Sequence, residues 1–569
     1  MSDFRGHNDE VVGMPGWRWR ASVLSVVAAG LVLRLPWPSV WWLNPDEGIY
    51  FTIITHARFA EFWADALATA HPPLYFLILR AVAFLSTDFA WLRSVAWLSG
   101  IALVYAFIVL GREVSGPGLR GRVAGLVTGL IVAASPRAIE LSQVLRPYTL
   151  LLLLLAVALI FLLRALRQPS TVRLGVYATC VSLALTLHYS AVAALGVCWI
   201  LVLVDGAVGG FRRGAWRRLA LAQVFPALTL VALYRLHLRH LMSSTLADQA
   251  LEGWVSVYLI HRPADVWAGL VGAHSSLVGD TLAPSAVLLL IFGLGWAAAK
   301  RHRTLLVLGG AGLAIAMLGA VVGVYPLGAT RHASWLFVFI VPTLGWTLTT
   351  ILMPEPATGG AGASERTAGW SPTRLIAAAM LVGLFVGAKP LSSILDSETR
   401  PREIAERVLQ VAHVQAMSEV LSPVAPPRLV VMSLETYQLL APLFVDARTA
   451  AESTSDGGIL HVPWGQRHVF VLHSRDFTAL PEQLSAPDHL YTAIRPATRT
   501  FGIDGPRDGE EVLILAGGWR SQGMEDLVEL ARVTPRLGTT TYVPGLIAAV
   551  LRFDAYQEAL GVDGGSDIG

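Results

Sequence analysis

The sequence predicts a polytopic α-helical membrane protein of about eleven spans. It also predicts juxtamembrane helices in the first outer loop and a C-terminal α/β domain outside the membrane. Three observations carry this. The 569 residues are 54% hydrophobic and only 15% charged, with a mean hydropathy of +0.57, whereas soluble domains carry roughly 25% charged residues. Apolar runs near the ~20 residues needed to cross a bilayer recur along most of the chain. After residue 391 the pattern changes to short β-rich runs separated by helical ones. The net charge of +3 is too small to argue for a nucleic-acid partner.

Taken in order, the expected spans are Trp17 to Pro36, Trp91 to Gly111, Arg122 to Ser135, Tyr148 to Leu163, Leu174 to Leu187 and Ala191 to Val204. They continue with Leu219 to Tyr234, Pro284 to Ala299, Thr304 to Val324, Ala333 to Leu352 and Leu375 to Gly387. The first run lacks a small-residue cleavage site, so it reads as a retained helix. HPPLYFLILRAVAFL, His71 to Leu85, starts with two prolines and carries Arg80. It is short for a span and suits an interfacial or re-entrant helix. Cys180 and Cys198 fall inside spans and read as packing residues.

The charges support this division. With His71 to Leu85 left out of the spans, the arginine-rich loops all fall on one side. They are Arg112 to Arg122, Arg164 to Arg173, Arg212 to Arg218, Lys300 to Arg303 and Arg366 to Arg374, together with the N-terminal Arg5, Arg18 and Arg20. By the positive-inside rule that side is cytoplasmic. Almost all the cations are Arg, which suggests a GC-rich bacterial genome and hence the inner membrane. The outer face then receives WWLNPDEGIYF, SQVLRPY, His188-Tyr189, the loop Arg235 to Leu282, YPLGATRH and the tail. The expected organisation is a cytoplasmic N-terminus over 1–16, a membrane region over 17–390 with a flexible cytoplasmic loop at 353–373, and the outer domain over 391–569. In that domain RLVVMS, HVFVLHS and EVLILAGG read as strands and EIAERVLQVAHVQAMSEVL as helix.

The chemistry gathers on the outer face. In NPDE, Asn44 suits an N-cap, Pro45 the first helical position, and Asp46 and Glu47 the first turn. This is a sound helix start on structural grounds alone. It also fixes an ionised acid able to receive a hydroxyl proton or to hold a divalent metal ion. HPPLYF follows about 25 residues later, then WLRSVAW with Arg93, then SPRAIELSQVLRPY with Gln143, Arg146 and Tyr148, and finally YPLGATRH with Arg331 and His332.

This ordered set resembles the GT-C superfamily of polytopic glycosyltransferases, over roughly residues 15 to 350. The likeness is to the bacterial branch related to protein O-mannosyltransferases and the lipid A aminoarabinose transferase. There an acidic pair in the first outer loop precedes H-P-P-L-Y, then Q-x-x-R-x-Y, then an R-Y or R-H near a late helix. The acidic pair alone is a weak signal; HPPLY and SQVLRPY in order are more specific. The resemblance implies a GT-C fold and a sugar donor linked to polyprenyl phosphate. It implies transfer of a hexose or pentose to a hydroxyl of a glycan, lipid or protein acceptor, with inversion.

On that resemblance Asp46 is the general base and Glu47 its backup or a metal or structural partner. Arg146 and Arg331, with Arg93 as a further candidate, would meet the charge growing on the lipid phosphate. His71, Gln143, Tyr148 and His332 would contact substrate. Each has a structural alternative. An Arg at a membrane boundary can anchor headgroups, His71 before Pro-Pro can cap a helix, His188 and His332 read as interfacial, and Tyr148 and Tyr189 as belt aromatics. Two departures stand out. Val144 replaces a Glu that many relatives carry, with Glu140 one turn earlier, and Arg146 stands where the aminoarabinose branch has an acid. Both weaken a two-acid metal site, so a metal is not assigned. The rival classes are a transporter or flippase for a lipid-linked or small solute, and a scaffold whose tail does the work. Clean spans and the absence of a repeat favour a catalyst over a transporter.

Overall fold

The computed structural model describes residues 16–35, 45–209, 213–242, 255–353 and 428–444, and the strand segments of the C-terminal region between 452 and 552. The connection from 354 to 427, with its expected loop, last span and helical stretch, lies outside the described residues, as do Trp41, Trp42 and Asn44.

The helices in chain order are α1 (Gly16–Arg34), α2 (Pro45–Ile54), α3 (Phe59–Ala68), α4 (Leu74–Ala83), α5 (Phe89–Ser115), α6 (Gly118–Ala134), α7 (Pro136–Leu141) and α8 (Tyr148–Arg167). They continue with α9 (Thr171–Leu187), α10 (Ala191–Gly209), α11 (Arg213–Leu233), α12 (Pro263–Val278), α13 (Ala283–Ala299), α14 (Arg303–Val321), α15 (Phe337–Leu352) and α16 (Leu434–Leu439). Helix α11 runs on through a π-helical turn, Tyr234–Leu238; a second π turn, Leu306–Ala311, interrupts α14. Among the described residues five helices are long and apolar enough to cross a membrane, or six if α12 and α13 form one bent span. Helix α4 has ten residues, which is too short to cross a bilayer and fits an interfacial segment.

Two findings depart from expectation. The stretch Arg235 to Leu282, expected as an outer loop, contains the apolar helix α12. It meets α13 at 104° across Gly279, whose φ of +86° suits only glycine without strain. Taken as one span, the pair is a broken one.

The chain divides into two compact units. The first comprises 1–38, 64–82 and 90–400. Its core is an apolar helical bundle in which α6 packs on α1 and α15, and α9 packs on α8 and α11. Close approach depends on small residues: a Cβ at Gly111 or Gly345 would stand 2.3 or 2.2 Å from the Thr128 hydroxyl of α6. Arg34, fully buried in α1, donates to the carbonyls of Gly30, Val132 and Ala133, tying α1 to the end of α6. Cys180 and Cys198 are free and buried.

The second unit comprises 39–63, 83–89 and 401–569. Its seven-stranded mixed sheet has the order β2-β3-β4-β1-β5-β7-β6. The strands are β1 (Leu429–Ser433), β2 (Glu452–Ser453), β3 (Ile459–Trp464), β4 (Arg467–Leu472), β5 (Glu511–Gly517), β6 (Thr541–Val543) and β7 (Leu546–Arg552). The three apolar runs expected as strands form its parallel centre, β4-β1-β5. Centrally placed strands read as continuous apolar runs because both faces are covered. The outer strands, with weaker patterns, went unassigned.

Candidate functional site

In the first unit, four chain segments bring their aromatic and cationic side chains to the start of α8. SQVLRPY runs through Pro147, the N-cap, to Tyr148, which stands in the first turn of that helix. The α9–α10 turn supplies His188, which is 4% exposed. A 3-10 turn, Arg331–Leu336, supplies His332, and the segment before α4 supplies His71. The His188 ring centroid lies 5.2 Å from His71, 5.1 Å from Tyr148 and 5.6 Å from His332; Tyr148 and His332 meet edge to face at 5.8 Å.

Neighbouring contacts hold the rings in place. Thr330 caps the 3-10 turn by accepting the His332 backbone N–H at 3.3 Å, and the Tyr325 hydroxyl donates to the His332 carbonyl at 2.9 Å. Arg137 donates to the Ala329 carbonyl at 3.1 Å and pairs with Glu140 at 2.8 Å, linking α7 to the loop before Arg331. Glu140 is thus engaged as an ion-pair partner in this position. The Thr69 hydroxyl accepts the His71 backbone N–H at 3.3 Å, while the Thr69 carbonyl meets His237 at 2.9 Å. His237 in turn bonds the Tyr189 hydroxyl, so Tyr189 has a packing partner inside the protein.

Two guanidinium charges, Arg146 and Arg331, act on the buried rings. Burial first, then unfavourable interactions with His188 and with the Arg146 charge, holds the His71 imidazole well below its usual range, with His332 and Arg331 adding to the effect. Burial, then Arg146 and Arg331, pushes His188 down to about 3. Both rings are neutral at ordinary pH. The Ser190 backbone N–H donates to Nδ1 of His188 at 3.1 Å, so the ring carries its proton on Nε2. The cluster therefore offers guanidinium and imidazole N–H donors around Tyr148. Such a set suits phosphate oxygens.

Of the residues singled out in the sequence, the structure brings together His71, Arg146, Tyr148, Arg331 and His332. The addition is His188, expected to be an interfacial histidine and found buried at the centre; only its position in an outer-face turn hinted at this. Gln143 is buried in the turn before Arg146, and its side-chain nitrogen has no partner among the described residues. Arg93 is fully buried in the first turns of α5.

Asp46 and Glu47 belong to the second unit, in the first turn of α2, as the helix-start reading expects. Glu47 is 1% exposed. Helix α2 packs on α16 and the 3-10 turn Ala441–Phe444 of the α/β region. Gly48 makes that approach feasible: a Cβ there would stand 1.9 Å from the Gln438 carbonyl oxygen. Among the described residues no three His, Cys, Asp or Glu side chains are arranged to hold a metal ion. Asp46 and Glu47 alone offer too few ligands for a dedicated site.

No protein-family model matches the chain, and no curated protein matches it. Solved structures align with it along most of its length. ArnT from Cupriavidus metallidurans in the apo state aligns at 14% identity over 93% of this chain and 98% of that one, with a TM-score of 0.47. The same protein bound to undecaprenyl phosphate gives a TM-score of 0.46 at equal identity and coverage. The oligosaccharyltransferase AglB from Archaeoglobus fulgidus, in complex with an inhibitory peptide and a dolichol-phosphate, aligns at 11% identity over 88% of this chain and 69% of that one, with a TM-score of 0.44.

Proposed function

We propose that this protein is a membrane glycosyltransferase of GT-C type. It moves a sugar from a polyprenyl-phosphate donor to an acceptor hydroxyl at the outer face of the cytoplasmic membrane. The observation that carries the reading is the convergence of Arg146 and Arg331 on the neutral His71 and His188 at the Tyr148 end of an apolar helix. Two guanidinium groups beside neutral imidazoles suit the oxygens of a phosphate. The order of NPDE, HPPLY, SQVLRPY and ATRH in the sequence supports it.

In the proposed reaction the acceptor oxygen attacks the anomeric carbon. The bond from that carbon to the phosphate oxygen breaks, and its electron pair leaves with the lipid phosphate. Arg146 and Arg331 stabilise the charge that grows there, and N–H donors such as Nε2 of His188 add hydrogen bonds. Asp46 takes the acceptor's proton, with Glu47 supporting it from its buried place in the same helical turn. Attack opposite the leaving group inverts the anomeric centre. On this reading 17–390 is the catalytic region and 391–569 an outer domain that carries the acid-bearing helix.

The test is sugar transfer in membranes from a panel of polyprenyl-phosphate sugars, with Asp46→Asn and Arg146→Gln at matched expression. Transfer by the native chain that falls at least about a hundredfold in both variants supports the reading. Transfer unchanged in Asp46→Asn removes the base from the mechanism. The bent α12–α13 pair also suits a transporter. Lipid-linked sugar crossing the bilayer without transfer to any acceptor would favour that class.

A further inference from the structure

The far end of α8 borders a cavity of about 500 Å³. Arg164 lies sixteen residues after Tyr148, or roughly 24 Å along the helix at ~1.5 Å per residue. The cavity is thus at the opposite end of α8 from the His-Arg cluster and is separate from the proposed reaction. Its polar lining is Arg20, Arg112, Arg164 and Glu113. Three cations against one anion leave it positive. The remaining wall is apolar, with Val23 and Leu24 of α1 and Ile108 and Val109 of α5.

The arginines are held in place. Arg164 pairs with Glu113 at 2.7 Å and stands over the Phe161 ring at 5.6 Å. Arg112 stands over Trp19 at 5.9 Å. Arg167 shares Glu113 at 2.7 Å, so that carboxylate is already committed to two cations. Arg20 and Arg112 are exposed and have charge to offer.

The two halves of the lining call for one kind of ligand. A soluble anion would use the guanidiniums and leave the apolar wall wet. An apolar chain alone would leave the charges without an anion. Leu24 is 68% exposed, so the apolar wall runs out onto a face of α1 that opens to lipid. The volume lies within the roughly 300–1,000 Å³ typical of small-ligand sites.

We propose that this cavity binds an anionic glycerophospholipid. Its phosphodiester would sit between Arg20 and Arg112, and an acyl chain would run along Val23 and Val109. The bilayer leaflet bearing the arginine-rich loops supplies such lipids.

The experiment is native mass spectrometry of the delipidated full-length protein. It is titrated with phosphatidylglycerol, with phosphatidylcholine of the same acyl chains, and with glycerol 3-phosphate. We expect one phosphatidylglycerol to bind at least about tenfold more tightly than phosphatidylcholine. We expect that preference to disappear in the double variant Arg20→Gln, Arg112→Gln, whose changes are both at exposed positions. Val109→Trp, which sets a bulky ring in the path of the acyl chain and keeps the arginines, should lose the bound lipid too. Equal binding of the two lipids, or undiminished preference in both variants, would overturn the proposal. So would glycerol 3-phosphate binding as tightly as the whole lipid, because the site would then be one for a free anion.

Discussion

The buried position of His188 makes a quantitative prediction about pH. In the folded chain its pKa is pushed down to about 3, whereas the unfolded chain restores a value of about 6.5. The unfolded state therefore binds the proton more readily, and stability must fall as pH drops below about 6.5. Above that value the ring is neutral in both states and contributes no pH dependence. Between about pH 7.5 and pH 5.0 linkage gives a loss of about 2 kcal/mol from this residue alone, continuing until the pH nears the folded value. The structural cause is visible: an imidazolium can no longer accept the Ser190 backbone N–H at Nδ1, and it would face Arg146 and Arg331. The assay compares melting of the purified native protein and His188→Gln in detergent at both pH values. Glutamine keeps an acceptor but does not titrate. His71, also held neutral, acts in both proteins and largely cancels. The native chain should lose about 2 kcal/mol more than the variant on acidification, a few degrees in melting temperature. Equal losses would refute the argument that His188 is buried as a neutral ring among cations.

Further outcomes follow from other residues. Gly48→Ala should lower transfer about tenfold to a hundredfold, because the new Cβ would stand 1.9 Å from the Gln438 carbonyl and must displace the acid-bearing helix by more than about 1 Å. Gly295→Ala, which meets nothing within 4 Å, should leave activity unchanged as the control. Arg331→Gln should reduce kcat/KM by about a hundredfold with the melting temperature held, since the charge it meets grows only as the phosphate departs. Arg34→Leu should cost about 2 kcal/mol in a denaturant melt, through loss of the bonds to Gly30, Val132 and Ala133.

Much of the architecture was legible because it rests on local periodicity. Long apolar runs have few alternatives to a helix in a bilayer, and the central strands of the α/β region declared themselves by continuous burial. NPDE announced a helix start by its own chemistry. What stayed hidden was non-local. Helix α12 escaped because its polar flanks, and the sharp turn at Gly279 that follows, broke the hydropathy signal of a span. His188 is the clearest case: its neighbours in sequence describe a helix end, and nothing in them says which other helix ends it will meet. Only packing of α8, α9 and the 3-10 turn brought it between His71 and His332. The same holds for the acidic helix. Its residues specify an N-terminus, but its docking on Leu434–Leu439 is decided by the bare Cα of Gly48 against a carbonyl nearly four hundred residues away. The sequence by itself determined the long apolar helices, the three central strands and the helix start at Pro45. Tertiary structure decided which of them meet, because burial and charge at a site are sums over segments that no local pattern encodes.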